Sequence, residues 1–296
     1  MEVGPSMSSI GEWQNRDRPL RSQFAKAHYY GAANLWHVVG SSLSITFALA
    51  APIVFLSSPK QGPLLGAFAG IWIFITRLLF DPIQRHYQAK GAVAQELFDC
   101  EVLGLGWNAA LAPRPADEEI RSASRAFEKS SSTMKHRNWY PTDAMLAWPI
   151  SVLTCQRSNA VWARRQHNAY AILLLVLVAS CGSFGIVLAT YREAKLVEYL
   201  TTLAMPSLPA MLDGVEVARR QFRASASRLQ FEQQIDRLLE DVVSVDLESM
   251  RKLQDQIFAL RRDAPPVAGW FYKVLRPKYE ADMRYAAAQR TTEGRA

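Results

Sequence analysis

The chain has 296 residues, 49% hydrophobic and 21% charged, with a formal net charge of +7. Its apolar residues are gathered into long blocks almost free of charge, approaching the ~20 residues that cross a hydrocarbon core of ~30 Å, whereas helices of soluble proteins are usually amphipathic. The basic balance suits anionic lipid, an anionic small ligand or nucleic acid, but no zinc-finger or RNA-binding signature accompanies it, so direct DNA or RNA binding is not expected.

Residues 1–34 are mostly polar and lack the short apolar run and small-residue cleavage site of a signal peptide, so the first apolar segment is expected to be retained. That segment runs from about Leu35 to Leu56 and contains no Asp, Glu, Lys or Arg. The connection SSPKQG follows, and the second segment covers about Pro63 to Phe80. Arg77 stands near its end, placed to snorkel to headgroups, and Asp81 and Pro82 are expected to close it. A polar region occupies 81–168. The third segment, about Ala169 to Thr190, is the cleanest of the four. The fourth, about Leu196 to Leu212, carries Glu198, Thr201, Thr202, Pro206 and Pro209; prolines are tolerated in spanning helices whose neighbours satisfy the freed backbone.

The expected fold is therefore an all-α membrane protein with four transmembrane helices in two hairpins (35–80 and 169–212). A tail (1–34), a mainly helical motif region (81–168) and a helical C-terminal region (213–296) would lie on one side. Lys and Arg are abundant in those three regions and sparse in the two hairpin connections, which hold Lys60, and Arg192 with Lys195. By the positive-inside rule both termini and the motif region are expected to be cytoplasmic. The cysteines, Cys100, Cys155 and Cys181, form no CxxC pair or Cys/His cluster, so no structural metal or disulfide framework is expected, in keeping with a reducing compartment.

In the C-terminal region Phe222, Leu229, Leu239, Val243, Met250, Leu253, Ile257 and Leu260 recur at helical spacing. Ser244 or Asp246 can cap a second helix there, and Pro265 and Pro266 end it. The stripe is short for a coiled coil; two helices packed on the motif region and self-association through the stripe both fit it.

Three stretches mix aromatic residues with directed hydrogen-bonding groups: QELFDCEVLGLGWN (95–108), NWYPT (138–142) and CQRSNAVW (155–162). Gln95, Glu96 and Asp99 belong to the first; Glu96 and Asp99 can share a helical face and do acid–base work or hold a metal. With no second acidic motif, glycine-rich phosphate loop or HExxH, the plainer reading is a charged helical face or a capping role. Cys100 and His136 can be imagined as nucleophile and base, but no spacing joins them; no catalytic residue, cofactor or enzymatic activity is expected. Arg157, Gln156, Asn159, Trp139, Tyr140, Asn138, Trp107 and Asn108 form an inventory suited to a nucleotide, because Arg grips phosphate, aromatic rings stack on a base, and Asn or Gln reads its edge. Equally, Trp139 and Tyr140 suit a membrane interface, with Arg157, Arg164 and Arg165 as ordinary positive-inside residues.

In this order, between two apolar hairpins, the three stretches resemble the bacterial four-transmembrane pore-forming effector family associated with second-messenger oligonucleotide synthases. The layout of residues 12–260 agrees; the specificity lies in the three motifs. Gly106 stands before Trp107 where the family carries proline, and Ala163 follows Trp162 where an acidic residue is expected. The resemblance implies an anti-phage effector of the bacterial inner membrane. A partner nucleotidyltransferase would supply a cyclic nucleotide messenger, and the effector would disrupt the lipid bilayer as a homo-oligomer and cause abortive infection. A non-conducting membrane sensor or scaffold that recruits a soluble partner is the alternative. Glu198, Thr201 and Thr202 lie on one helical face of the fourth segment and are the expected pore-lining groups.

Overall fold

The structure, a computed structural model, describes residues 10–293 except residue 132 and residues 141–147. Every regular element among the described residues is helical. In chain order they are α1 (Ile10–Trp13), α2 (Asp17–Ser57), α3 (Gly62–Ile75), α4 (Asp81–Leu103), α5 (Asp117–Ser130), α6 (Ile150–Tyr191), α7 (Leu196–Tyr199), α8 (Met205–Glu240), α9 (Leu247–Arg262) and α10 (Gly269–Glu293). Three helices are long and apolar enough to cross a membrane: Asp17–Ser57, Pro59–Leu103 and Ile150–Tyr191. The fourth apolar segment, diluted by Glu198 and its threonines, is not among these three. It forms α7, a π-helical turn at Leu200–Ala204, and the start of α8.

Proline explains a break in helical register that the sequence suggested would be a stop. Asp81 and Pro82 do not close the second segment; the helix runs on through a π-helical turn at Thr76–Phe80 into α4. Pro82 lacks the N–H that would bond the Leu78 carbonyl, and the wider turn accommodates the loss. Pro206 stands in the same relation to Thr202 within Leu200–Ala204. The boundaries expected at 34/35, 80/81, 168/169 and 212/213 thus all fall inside continuous helix.

In the apolar half the side chains facing outward are hydrophobic: Ile45, Leu49, Ile53, Leu64, Phe68, Phe74, Phe184 and Val187 are all more than half exposed. Water would penalise such a belt and lipid would not. Inside it, small residues let backbones approach. A Cβ built on Gly62 would lie 2.7 Å from Thr202 Cγ2, and one on Gly66 3.5 Å from the Pro206 nitrogen. Gly185 faces Leu203 and Gly182 faces Met211, so the fourth segment is wedged between α3 and α6. The Arg77 guanidinium is held by Asp81 (3.2 Å), Asp213 (2.6 Å) and Glu216 (2.8 Å), tying α4 to α8 where the apolar half ends.

The polar half has its own core. Phe98 and Val102 of α4, Leu153 of α6, Ile235 of α8, and Met250, Leu253 and Ile257 of α9 pack in one buried cluster. The part of the stripe from Met250 to Ile257 is therefore packed within the chain, whereas Leu229 and Val243 of the same stripe are exposed. Asp246 caps α9 as the sequence suggests, accepting 2.8 Å from the Ser249 amide.

Candidate functional site

The three motifs converge at the centre of the polar half. α4 ends on Gly104, whose φ of 68° is the left-handed conformation that terminates helices; the Leu105 amide returns 3.0 Å to the Cys100 carbonyl. This turn aims the rest of the first motif along α9: the Trp107 indole donates to the Ala112 carbonyl (3.1 Å) and the Asn108 amide to Asp255 (2.9 Å). The second motif is clamped by two residues near the N-terminus. Gln14 exchanges two hydrogen bonds with the Tyr140 backbone, at 2.7 and 3.2 Å. Asn15 donates to the Asn138 side-chain oxygen (2.8 Å) and accepts from the Asn138 backbone amide (3.0 Å), holding it at φ 51°, where Asn is among the few tolerant residues.

Asp99 is the hub. It is fully buried and accepts from the Tyr140 hydroxyl (2.6 Å), Gln254 (3.0 Å) and Arg261 (2.5 Å). Asn159 of the third motif donates to the same Tyr140 hydroxyl (2.9 Å), so one residue from each motif meets at a single oxygen. Glu96 is buried beside it, bound by Arg251 (2.5 Å) and Gln254 (2.8 Å). Burial and the nearby Asp99 charge raise the Glu96 pKa, against the opposing hydrogen bonds from Arg251 and Gln254. Gln156 is buried and donates to the Met250 carbonyl (2.9 Å) and Gln254 (3.2 Å). Gln95 accepts from the Tyr30 hydroxyl (3.2 Å).

These positions correct two sequence expectations. Glu96 and Asp99 are neither a solvated face nor caps: α9 covers them and brings the arginines that neutralise them. Tyr140 is buried in the polar half, bonded to Asp99, and does not belong to a membrane-interface belt. Arg157 lies at the rim, with its guanidinium shared between Asp236 (2.5 Å) and Glu232 (3.0 Å); Arg164 binds Glu232 (2.8 Å) and Arg165 binds Asp282 (2.7 Å). All three are thus ion-paired. Cys100 and His136 are apart: Cys100 contacts Glu96 and Arg251, while His136 stands edge-on to Phe127 at 4.9 Å. Burial and the Glu96 charge push the Cys100 thiol up, the reverse of what activates a nucleophile.

Several residues at this centre carry no motif-like signal. Gln23, Lys26 and Tyr30 share the inward face of α2 by their spacing. Lys26 is buried with its Nζ 3.4 Å from the centroid of the Trp139 ring. Among the described residues Lys26 Nζ, both Gln23 amide atoms and Arg261 Nη2 have no hydrogen-bond partner. Burial lowers the Lys26 pKa well below its ordinary value; Asp99 opposes this, and Arg261 and Arg276 add to it. The signal that could have found Arg251, Gln254 and Arg261 is their place within the α9 apolar stripe, where a solvated helix would not put them.

In the apolar half the expected pore-lining residues separate. Thr202 is 2% exposed, packed on Gly62 and donating to the Pro59 carbonyl (3.2 Å). Thr201 donates to the Val197 carbonyl of its own helix (2.8 Å), and Glu198 is partly exposed.

A curated protein of Bacillus cereus (strain VD146), named a probable CBASS effector molecule, is 22% identical over 289 residues, covering 92% of this chain and 95% of that protein. No solved structure matches the chain. Residues 8–290 match one family over nearly the whole length, and the chain belongs to it: the SMODS-associating 4TM effector domain family.

Proposed function

We propose that the protein is the membrane-disrupting effector of an anti-phage system, switched by a cyclic nucleotide that a partner nucleotidyltransferase makes, and that it is not an enzyme. Family membership and the Bacillus cereus relative, itself named a CBASS effector, support the effector role. The observation that supports the gating step is continuity: three of the helices at the motif centre, α2, α4 and α6, run on into the apolar segments. α6 alone has 42 residues. At 1.5 Å per residue it is about 60 Å long, so a tilt of about 5° at the motif centre moves its far end by roughly 5 Å. A ligand that prefers one arrangement of the motif centre thereby biases the bilayer half.

The nucleotide contacts fall at that centre. Asn138, Trp139, Tyr140, Gln156 and Asn159 line it, Trp107 and Asn108 flank it, and Arg157 stands at its rim. Lys26, Gln23 and Arg261 hold the unmet hydrogen-bonding capacity that a phosphate and a base edge would fill. Several copies are needed to enclose a conducting path, and Glu198 and Thr201 are the groups of the fourth segment left to line it. The membrane is the bacterial inner membrane, spanned four times with both termini cytoplasmic.

The test is dye release from liposomes carrying the purified protein, on addition of members of a cyclic di- and trinucleotide panel. Release with one member, and its loss in Lys26→Met, is the expected result. Tight nucleotide binding with no release or depolarisation would refute pore formation; absence of binding to any member would refute gating. Reporter fusions after Lys60 and Tyr191 should read periplasmic, and fusions near Ala126 and Ala296 cytoplasmic.

A further inference from the structure

A second basic site adjoins the motif centre, where Gln88 donates to the Arg261 carbonyl at 2.9 Å. The start of α4, the middle of α8 and the end of α9 enclose an open groove of about 730 Å³. Its polar lining includes Gln84, Arg85 and Gln88 of α4, Arg220, Arg223, Ser227 and Arg228 of α8, and one carboxylate, Asp263, after α9. Arg262 also lines it, but is paired with Asp263 at 3.0 Å. Arg85, Arg223 and Arg228 have no carboxylate within ion-pair distance among the described residues. Arg220 has one distant partner, Glu216 at 3.8 Å, and its Nε is buried without a hydrogen bond.

Arg228 makes the charge imbalance costly. It is 4% exposed, and its acceptors are backbone carbonyls, of Ala224 (2.8 Å) and Leu260 (2.7 Å). Burial, and then repulsion from Arg261, hold its pKa down at about 10. A buried cation without a counter-charge is among the most expensive groups in a protein; an anion in the groove relieves it.

The groove's depth and chemistry choose the anion. The outward leucines Leu78, Leu79 and Leu212 are the last of the apolar belt on their helices. Gln84 and Arg85 follow Leu79 by five and six residues, or about 8–9 Å; Arg220 and Arg223 follow Leu212 by about 12 and 16 Å and form the groove's mouth, with Arg228 at its inner end, about 24 Å on. The headgroup layer beside a hydrocarbon core is about 5–8 Å thick, and an arginine side chain closes the remaining distance. Trp36 stacked on Phe80 at 5.7 Å marks the same level, where aromatic rings collect. No aromatic residue lines the groove, so a nucleobase would find no stacking platform, whereas a phosphodiester headgroup needs only donors and positive charge.

We propose that this arginine groove binds the headgroup of an anionic phospholipid and so ties α4, α8 and α9 to the bilayer surface. This is independent of which nucleotide, if any, the motif centre reads.

The full chain is placed in nanodiscs of phosphatidylcholine mixed with phosphatidylglycerol, released gently, and its retained lipid counted by native mass spectrometry. Phosphatidylglycerol should be retained in preference to phosphatidylcholine. Arg85→Gln with Arg223→Gln should weaken that preference about tenfold, as expected for lost charge-assisted contacts. Because both side chains sit at the surface of the groove, this pair spares folding, and Arg228→Met serves as the buried counterpart. Equal retention of the two lipids by the parent overturns the proposal, as does an unchanged preference in the double variant. In a second arm cyclic di-AMP is added to the phosphatidylglycerol nanodiscs. Displacement of the lipid, with nucleotide binding lost in the same double variant, would show that the groove is a nucleotide site and would overturn the lipid assignment.

Discussion

Asp99→Asn is the sharpest probe of the motif centre. The native carboxylate is fully buried and takes donors from Tyr140, Gln254 and Arg261 at 2.5–3.0 Å. An asparagine keeps the shape but offers one acceptor oxygen, and its NH₂ must face a donor. The larger loss is electrostatic: Arg261, with an 11% exposed side chain, is left without its counter-charge. Breaking one side of a buried pair costs about 3–5 kcal/mol; at roughly 2–4 °C per kcal/mol for a chain of this size, the thermal midpoint should fall by about 6–20 °C. The assay is heat-induced loss of the monodisperse peak of detergent-solubilised protein. Adding Arg261→Met removes the stranded cation, so the double variant should recover more than half of the loss. A double variant no more stable than Asp99→Asn would show that the pair is not coupled, and would refute the hub assigned to Asp99.

Gly62→Val should unseat the fourth segment, because its side chain would occupy the place of Thr202; a lowered thermal midpoint with altered protease access between α6 and α7 is the expected reading, and Gly70→Val, which meets open space, is the control. Cys100 and Cys155 are buried, and their thiols are pushed up chiefly by burial; a water-soluble maleimide at pH 8 should leave both unlabelled in the native protein and label them in denaturant, and rapid native labelling of either would contradict the packing of α4 or α6. Glu198→Gln should change the cation preference of reconstituted liposomes while insertion stays normal; equal reversal potentials for parent and mutant would exclude the fourth segment from the conducting path.

The apolar half was legible because lipid imposes a demand that composition alone reveals: long uncharged runs have few other uses. The motif residues were legible as types, since Trp139, Tyr140, Gln156 and Asn159 combine rings with directed polar groups. Their partners were not. Asp99 and Glu96 read as surface because helical spacing fixes a face and not what covers it; the cover is α9, more than 150 residues further on. Arg157 stood out by residue type, but sequence could not show that Glu232 and Asp236 pair with its guanidinium. Lys26 went unnoticed because an isolated lysine in a polar tail carries no mark of burial.

The expected boundaries between membrane and motif regions fall within unbroken helix, in α2, at the α3–α4 junction, in α6 and in α8. The polar and apolar halves are therefore not modules. A soluble fragment cut at those boundaries would sever each of these helices and expose new unsatisfied ends in the middle of a core. Nor can the motif half be exchanged for a foreign one without matching the phase of each crossing helix. Change in the polar half of such a chain has to arise by substitution within the shared helices, under the constraint that the apolar half keeps its packing.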